Sequence, residues 1–363
     1  MGRIQARRER LKQSLVKEQV DGFLVASPVN VRYLTGFTGD SSILLVGPDR
    51  EILVSDGRYT TQLEQECPGL ERHIRPTGVE IPSELGRVVQ GLGWRHLAFE
   101  ATNLTVAELQ AFSVAMPSVE LRGVSGWVEV LRRVKDQEEI EAIRSSVRIA
   151  EKAFAILRAG LRLEETERDV ADAIEAALRR CGATGSSFPP IVAVGERAAL
   201  PHARPTRTRL DRDDFVLIDW GASGEPYKSD LTRIIATGKV TSKFEEIYRT
   251  VLTAQERAIA AIRPGALAHD IDAEARSVID AAGFGGFFDH GLGHGIGMEI
   301  HEAPRIRKGS PDVLEPGNVV TVEPGIYLPG WGGIRIEDDV LVTDDGCEVL
   351  SRLPKGIDSV TID

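Results

Sequence analysis

The chain has 363 residues, a length that suggests two domains, and its 42% hydrophobic and 27% charged residues are typical of a globular protein. The net charge is −11 and no cluster of lysine and arginine forms a basic stripe, which argues against nucleic acid as the main partner. No apolar run approaches the roughly 18 residues of a membrane span, and the charged N-terminal segment does not resemble a signal peptide. The three cysteines are far apart and odd in number, which indicates reduced thiols in a cytoplasmic protein rather than a disulfide framework or a CxxC metal site.

The first part of the chain alternates between helical and strand-like patterns. The predicted elements are a helix over 3–20, a buried strand over 22–26, a hairpin of 42–46 with 51–54, a strand over 95–100 and a helix over 105–113. This alternation predicts an α/β domain over residues 1–124, with residues 125–135 leading into the rest of the chain.

Residues 125–363 predict a second domain in which one arrangement of elements occurs twice. Asp136 and Glu139 form a capping box ahead of a helix with apolar residues at helical spacing, and another helix begins near Thr166. The first repeat is these two helices and a hairpin over 215–238; the second is a helix over 242–262, a helix over 270–282 and a hairpin over 318–342. The duplication predicts an α+β fold with an internal pseudo-two-fold axis.

The first predicted hairpin carries two acidic residues, Asp219 and Asp230. If its turn is centred on Gly224 and Glu225, a recognised kind of two-residue connection, the two carboxylates lie directly opposite each other. Even with a bulge or a longer loop, both acids can share one face. Two like charges in this position destabilise a sheet unless a positive charge lies between them.

The second predicted hairpin repeats this arrangement with Glu323 and Glu337 around a pairing centre at Gly330. If the two hairpins meet across the pseudo-axis, four carboxylates converge, and in a dry pocket each would raise the pKa of the others. Two divalent cations would cancel their charge, and His294 lies between the two hairpins in sequence as a further ligand.

Four carboxylates and one imidazole suit manganese, cobalt or zinc better than calcium. A tetrahedral Cys/His zinc site is excluded because no cysteine lies near these residues. Four carboxylates balance two divalent ions and leave room for a bridging hydroxide, which is the usual apparatus of metal-assisted hydrolysis.

Further histidines and one arginine accompany these candidate ligands. His290 and His301 flank His294, and His202 lies in the loop ALPHARP ahead of the first hairpin. Near a hydrolytic metal site, imidazoles can transfer protons and stabilise an oxyanion. Arg335 lies two positions before the last acid, where it could meet a substrate carboxylate or carbonyl, or form an ion pair with a ligand carboxylate.

Several sequence strings carry a family resemblance that covers nearly the whole chain. They are NVRYLTGFTG and SDGRYTTQLEQE in the first domain, and LRRVKDQEEIEAIR, SFPPIVAVGERAALPHARP, DFVLIDWGASGEPYKSDLTR, HGLGHGIGMEIHE and VTVEPGIYLPGWGGIRIEDDV in the second. The second domain resembles the pita-bread (creatinase/aminopeptidase) metallopeptidases, specifically the aminopeptidase P and prolidase branch that cleaves Xaa-Pro bonds. The first domain is similar to the creatinase-type N-terminal domain of that branch.

The resemblance implies a role for each candidate ligand. Asp219 would bind one metal ion, Asp230 and Glu337 would bridge both, and His294 and Glu323 would hold the second. Glu323 would also act as general base on the bridging water or keep the hydroxide oriented.

The resemblance also implies roles for the surrounding residues and for partners. His202 and His301 would contact the substrate, to stabilise the tetrahedral intermediate or pass a proton to the proline nitrogen. His290 would line the proline pocket, and Arg335 would match the arginine beside the last ligand. Family members commonly use manganese, cobalt or zinc, with manganese the expected metal here, and commonly form dimers in which the N-terminal domain helps to close the site.

One position departs from the family pattern. Ala203 follows His202 where the family has glycine, and a Cβ there limits positive φ, which puts the position of the His202 loop in question.

The expected activity is hydrolysis of the N-terminal Xaa-Pro bond of dipeptides or short peptides by a hydroxide that bridges two divalent metals. The sequence leaves open whether dipeptides (prolidase) or longer peptides (aminopeptidase P) are preferred. The alternatives are a creatinase-like hydrolase of a small guanidino compound, and a non-catalytic peptide-binding module of the same fold. The presence of all five ligands weighs against both.

Overall fold

The computed structural model describes residues 2–361 and divides into two compact units, one up to Arg132 and one from Arg133 onward. The sequence predicts a domain boundary after residue 124, which is the last residue of the final strand of the first unit. No helix within residues 2–361 is both long and apolar enough to cross a bilayer.

The first unit is built on one six-stranded mixed sheet. Its elements are α1 (Arg3–Glu18), β1 (Gly22–Val25), α2 (Pro28–Thr35), β2 (Ile43–Val46), β3 (Glu51–Asp56), α3 (Thr60–Glu66), β4 (Glu71–Arg75), α4 (Ile81–Leu92), β5 (His96–Glu100), α5 (Val106–Ala115), β6 (Glu120–Val124) and α6 (Glu129–Arg133). The strand order is β4-β3-β2-β1-β5-β6, with β1, β2 and β3 antiparallel and the outer pairings parallel. The predicted α/β architecture is confirmed, including the β2–β3 hairpin.

The sequence missed several elements of this unit, among them both edge strands. β4 and β6 are only partly buried, so they lack the apolar alternation of a strand with one face in the core. The segment 125–135, which the sequence predicts to lead into the second domain, contains the short helix α6.

The second unit contains the duplicated arrangement that the sequence predicts. Its elements are α7 (Gln137–Gly160), α8 (Glu167–Arg180), β7 (Gly185–Ser186), β8 (Ile191–Val194), β9 (Phe215–Trp220), β10 (Ala222–Ser223), β11 (Leu231–Ala236), α9 (Ser242–Ala261), α10 (Ala268–Ala281), β12 (Gly293–Gly295), β13 (Glu302–Ile306), β14 (Val319–Val322), β15 (Gly325–Leu328), β16 (Gly332–Arg335), β17 (Asp338–Val342) and β18 (Cys347–Val349). The helix pairs α7–α8 and α9–α10 each precede one acid-bearing hairpin, which confirms the predicted α+β fold.

Local sequence signals explain where these helices begin and which face they bury. Asp136 caps α7 in a capping box with Glu139, and Thr166 caps α8 in the same way with Asp169. The predicted apolar positions of α7, α8 and α9 are buried. In α9, for example, Phe244 and the residues at helical spacing after it pack into the main core cluster.

The strands of this unit form a three-stranded sheet in the order β11-β9-β8 and a five-stranded sheet in the order β13-β12-β14-β17-β18, with two small ribbons, β10-β7 and β15-β16. An isolated bridge between Thr232 and Glu337 joins the hairpins of the two halves. The candidate site lies at this junction.

Candidate metal centre and active-site cavity

The alternation of side chains along β9 places Asp219 between the two halves of the unit. Val216 and Ile218 pack into the core cluster of α7 and α8. Leu217 points to the opposite face, into the cluster shared with the second half. Because residues two apart share a face, Asp219 lies on the same side as Leu217 and is buried there.

The predicted direct pairing of Asp219 with Asp230 is wrong. In the antiparallel ladder of β9 and β11, Asp219 lies opposite Thr232. Asp230 precedes Thr232 by two positions and is therefore a diagonal neighbour of Asp219 rather than its direct partner.

The turn of the first hairpin accounts for this difference. It is centred on Glu225 and Pro226, one residue later than predicted, and the backbone N–H of Gly224 donates to the carbonyl of Tyr227 (2.8 Å). A turn displaced by one residue moves each cross-strand partner by two positions. Since side chains repeat every two residues, both acids remain on the same face.

The second hairpin has the predicted register. β14 pairs with β17 and β15 with β16 in one continuous register centred on Gly330. Glu323 lies between β14 and β15 and Glu337 between β16 and β17, so this register sets them opposite each other. Gly330 has a φ of 77°, a conformation that glycine adopts without steric cost.

The bridge between the hairpins brings their acids together. The hydroxyl of Thr232 donates to Oε2 of Glu337 (2.7 Å), and the backbone N–H of Glu337 donates to the carbonyl of Thr232 (3.3 Å). One carboxylate oxygen from each of Asp219, Asp230 and Glu337 lies within 4.8 Å of the other two, and all three residues are buried.

His294 on β12 is the candidate metal ligand that offers a nitrogen atom. Its backbone N–H donates to the hydroxyl of Thr321 (3.1 Å), and its Nδ1 lies 3.1 Å from the carbonyl of Gly295. Because a carbonyl only accepts, Nδ1 carries the ring proton and Nε2 keeps its lone pair. Nε2 lies 3.4 Å from Oε1 of Glu323 and 3.7 Å from Oδ2 of Asp230.

Burial and crowding shift the pKa of these groups. Burial is the largest cause that raises the pKa of Glu323 to about 8, with a further rise from Asp219. Burial and neighbouring acids raise the pKa of Asp230 and of Glu337 well above the usual range. Burial lowers the pKa of His294 to about 3, so its imidazole is neutral. Arg335, which pairs with Asp219, offsets the charge of these crowded carboxylates only in part, so protons or added cations must balance the rest.

Divalent cations fit this donor set. Oδ1 of Asp219 is buried and, among residues 2–361, has no hydrogen-bond partner. Nε2 of His294 faces only acceptors. Unpaired lone pairs on buried oxygen and nitrogen are costly unless a proton or a metal ion receives them. Four carboxylates and one neutral imidazole match the charge and ligand preference of two divalent transition-metal ions.

Arg335 forms the buried ion pair that the sequence left open as an alternative. Its Nη2 lies 2.5 Å from Oδ2 of Asp219, its Nε donates to the hydroxyl of Thr232 (3.1 Å), and its Nη1 donates to the hydroxyl of Tyr327 (2.8 Å). These three bonds orient the second oxygen of Asp219 toward the cluster, so Arg335 holds a candidate ligand in place.

Tyr327 connects this arginine to His290. The Tyr327 hydroxyl accepts from Arg335 and lies 2.8 Å from Nε2 of His290, whose Nδ1 lies 2.8 Å from the carbonyl of Gly291. Nδ1 therefore carries the proton and Nε2 accepts from the tyrosine. Burial lowers the pKa of His290 to about 4, and with both nitrogens occupied it presents a neutral ring to the cavity.

The change Tyr327→Phe should lower the free energy of unfolding by about 1–3 kcal/mol, because it leaves buried polar atoms of Arg335 and His290 without their partner. Urea unfolding of the purified protein measures this loss. Tyr248→Phe is the matched control, since the hydroxyl of Tyr248 makes a single bond to the carbonyl of Lys355. A loss no larger than that of the control would contradict this account of Tyr327.

The candidate ligands open onto a cavity of about 680 Å³. Its wall includes every residue that the sequence marks for the site: Asp219, Asp230, His294, Glu323 and Glu337, with His202, His290, His301 and Arg335. Proline and apolar side chains (Phe188, Pro189, Pro190 and Ile300 among them) and three arginines, Arg204, Arg305 and Arg307, complete the lining. A cavity of this size and mixed character is typical of a small-molecule or short-peptide site.

His202 and His301 come from segments about 100 residues apart in sequence, and both line the cavity. The ring of His301 packs edge-on against that of His294, with centroids 4.5 Å apart. His202 lies in the loop before the first hairpin, where Ala203 is buried and its N–H donates to the carbonyl of Leu200 (3.1 Å). Gln19 is the one non-glycine residue with a positive φ within 2–361, so alanine fits at 203 without strain.

Some residues that support the site were not foreseen from the sequence. Thr232 and Thr321 donate to the carboxylates of Glu337 and Glu323, and Asp339 accepts from the backbone N–H of Asp230 (3.0 Å). Thr232, Thr321 and Asp339 lie two positions from a predicted ligand. The period of two along a strand is the signal that would have found them.

Comparison with known proteins shows which families the two parts of the chain resemble. The model of metallopeptidase family M24 matches residues 141–344, and that of the creatinase/prolidase N-terminal domain matches residues 7–134. An Xaa-Pro dipeptidase of Pyrococcus furiosus is 36% identical over 348 residues, which is 95% of this chain and 97% of that protein.

Two solved structures with the same architecture are those of Xaa-Pro peptidases. An Xaa-Pro dipeptidase from Bacillus anthracis has a TM-score of 0.94 at 39% identity and covers 97% of this chain and 99% of its own. An X-Pro aminopeptidase from Thermotoga maritima has a TM-score of 0.89 at 37% identity, with coverage of 96% and 99%. The similarity thus extends over nearly the full length of each chain.

Proposed function

The chain belongs to metallopeptidase family M24, with a creatinase-type N-terminal domain and a pita-bread catalytic domain, and from this premise we propose that it hydrolyses the N-terminal Xaa-Pro bond of short peptides with two divalent metal ions. The observation that carries the proposal is the convergence of four carboxylates, three of them buried and that of Glu323 partly buried, with one neutral imidazole at the wall of a 680 Å³ cavity. Such a set is costly to keep ionised unless cations lie between its members.

The five candidate ligands divide between two metal ions. Asp219 would hold one ion, His294 and Glu323 the other, and Asp230 and Glu337 would serve both. Manganese suits a set of carboxylates with one nitrogen. When bound, such ions supply a nucleophilic hydroxide near neutral pH and polarise the scissile carbonyl.

Glu323 is the proposed general base. The ionised carboxylate of Glu323 would accept the proton of the attacking water. The hydroxyl of Thr321 lies 3.3 Å from Oε1 of Glu323 and donates to it, which orients the carboxyl toward the cavity.

His301 and His202 would act on the other side of the scissile bond. The proline nitrogen carries no hydrogen in the peptide and must gain a proton to leave. His301 lies beside His294 with its ring at the cavity wall, a position from which it would give this proton. His202, on the loop across the cavity, would stabilise the developing oxyanion.

His290 would form one wall of the pocket for the proline ring. Both of its nitrogens are engaged by protein groups, so it offers the flat face of a neutral ring. That surface suits an apolar pyrrolidine better than a charged or hydrogen-bonding side chain.

The three arginines in the cavity wall favour dipeptides over longer substrates. Arg204, Arg305 and Arg307 line the cavity, and the free carboxylate of a dipeptide is the anionic group that guanidinium side chains pair with best. A tripeptide would place its carboxylate further away. The homodimer and the cytoplasmic location expected from the sequence are part of the same proposal.

A comparison of substrates tests the function. The purified protein with added manganese should cleave an Xaa-Pro dipeptide faster than the matched Xaa-Pro-Yaa tripeptide, and leave the Xaa-Ala dipeptide uncut. A chelator should abolish turnover, and manganese should restore it. Cleavage that survives chelation, or equal cleavage of Xaa-Ala, would refute the proposal; faster tripeptide turnover would assign aminopeptidase rather than dipeptidase preference.

A further inference from the structure

Glu167, at the start of α8, is fully buried. Both oxygens of its carboxylate accept hydrogen bonds from the loop that carries His202. Oε1 accepts from the backbone N–H of Val194 and from Nε of Arg197, both at 2.9 Å. Oε2 accepts from the backbone N–H and the hydroxyl of Thr206, both at 2.7 Å. A single side chain therefore holds the two ends of the segment 194–206, with His202 between them.

Arg197 extends this anchor to the far side of His202. Its Nε also lies 3.0 Å from Oε2 of Glu167, and its Nη2 donates to the carbonyl of Arg204 (2.7 Å). The hydrogen bond to Arg204 closes the segment from Arg197 to Arg204 into a loop, and the ion pair of Arg197 with the buried Glu167 fixes this loop to α8. Charge-assisted bonds of this kind are stronger and more directional than neutral ones.

The start of α8 is joined to the same loop through its backbone. The N–H of Glu167 donates to the carbonyl of Thr208 (2.9 Å), and the N–H of Arg168 donates to the carbonyl of Thr206 (3.1 Å). The loop is thus held in place by α8, a helix whose apolar face is part of the core, while His202 on the same loop lines the cavity.

We propose that Glu167 is a positioning residue of the hydrolytic reaction: it places His202 by clamping both ends of the segment 194–206. This inference rests on the proposed function of His202. Glu167 touches no substrate, because its side chain is sealed beneath the loop. Its effect is on geometry, and a displacement of about 1 Å at a catalytic group can reduce turnover about 100-fold.

Glu167→Gln is the test variant, because it preserves shape while one carboxylate oxygen becomes an NH₂ group. That group would face N–H or O–H donors at every position that Glu167 now fills as an acceptor. Asp169→Asn is the matched control. Asp169 lies in the same helical turn but is exposed and bonds only to Thr166 in the capping box.

Two readouts on the metal-loaded, full-length protein decide the matter. In Glu167→Gln the amides of residues 196–206 should exchange with deuterium faster than in the wild type, and kcat for an Xaa-Pro dipeptide should fall about 10- to 100-fold with KM and bound metal unchanged. Asp169→Asn should show neither effect. Glu167→Asp, which keeps the carboxylate, should recover part of the lost kcat.

A double variant separates positioning from general support of the fold. If Glu167 acts through His202, then Glu167→Gln should reduce kcat little further in a His202→Ala background. The inference would be overturned if Glu167→Gln reduced kcat as much in the His202→Ala background as in the wild type. Unchanged deuterium exchange of residues 196–206 in Glu167→Gln would also overturn it. Normal kcat in His202→Ala alone would also overturn it while leaving Xaa-Pro hydrolysis in place. A wild-type protein that cleaves no Xaa-Pro peptide would refute the proposed function, and the exchange of the loop would still show whether Glu167 holds it.

Discussion

Replacing Glu323 with alanine should abolish measurable turnover of Xaa-Pro peptides, with a loss of at least about 1,000-fold in kcat. The change removes a carboxylate with two proposed roles: it is a ligand of one metal ion, and it is the base that takes the proton of the attacking water. Its carboxyl lines the cavity and faces Nε2 of His294 at 3.4 Å, and alanine offers neither a metal ligand nor a proton acceptor in its place.

Steady-state kinetics at saturating manganese measure this effect, and circular dichroism verifies that the variant is folded. Asp344→Ala is a suitable control, because Asp344 is an exposed acid in the turn that follows β17, at the end of the same hairpin. The control should keep its full rate. A Glu323→Ala enzyme with a near-normal rate would remove Glu323 from both assigned roles.

Removing the metal ions should make the stability of the protein depend strongly on pH. In the folded, metal-free protein the pKa of Glu323 is raised to about 8, and the pKa values of Asp230 and Glu337 are raised well above their ordinary range. The unfolded chain loses these protons near pH 4–5. Between these limits the folded state binds more protons than the unfolded state, so its stability falls as pH rises.

The clearest window lies between about pH 6.5 and about pH 8. Below about pH 6.5 the buried histidines have the opposite effect. Because the pKa values of His290 and His294 are lowered in the folded protein, these residues make the folded state less stable as pH falls. Within the window, each proton held by the folded state alone makes the metal-free protein about 1.4 kcal/mol less stable per pH unit. Divalent cations displace those protons, so the metal-loaded protein should lack this decline.

Calorimetric unfolding at both ends of this window, with chelator or with manganese, measures the effect. The increase in Tm on adding manganese should be larger at the higher pH. An increase that is the same at both pH values would mean that the ions do not compete with protons at these carboxylates. Such a result would place the metal elsewhere.

The sequence predicted most of the centre because its residues lie on strands or directly beside a strand end, where a period of two assigns each side chain to a face. Glu323 and Glu337 are symmetric about Gly330, and a single hairpin register was enough to pair them correctly. The first hairpin failed for a local reason. Gly224 and Pro226 offered two turns one residue apart, and the choice between them sets the pairing of Asp219.

Contacts between segments far apart in sequence could not be predicted in this way. Arg335 can serve a substrate or a ligand, and only the fold, which brings it against Asp219 across 116 residues, decides between them. Tyr327 and Glu167 have no local pattern that distinguishes them from ordinary core residues. Their roles follow from what the folded chain places beside their polar atoms.

The central claim is that Asp219, Asp230, His294, Glu323 and Glu337 together hold two divalent cations. Anomalous diffraction from crystals grown with manganese tests it directly. Two peaks should lie about 3.5–4 Å apart, with every one of the five side chains within ligand distance of at least one peak. No peak in this cluster, or peaks bound by other residues, would contradict the account.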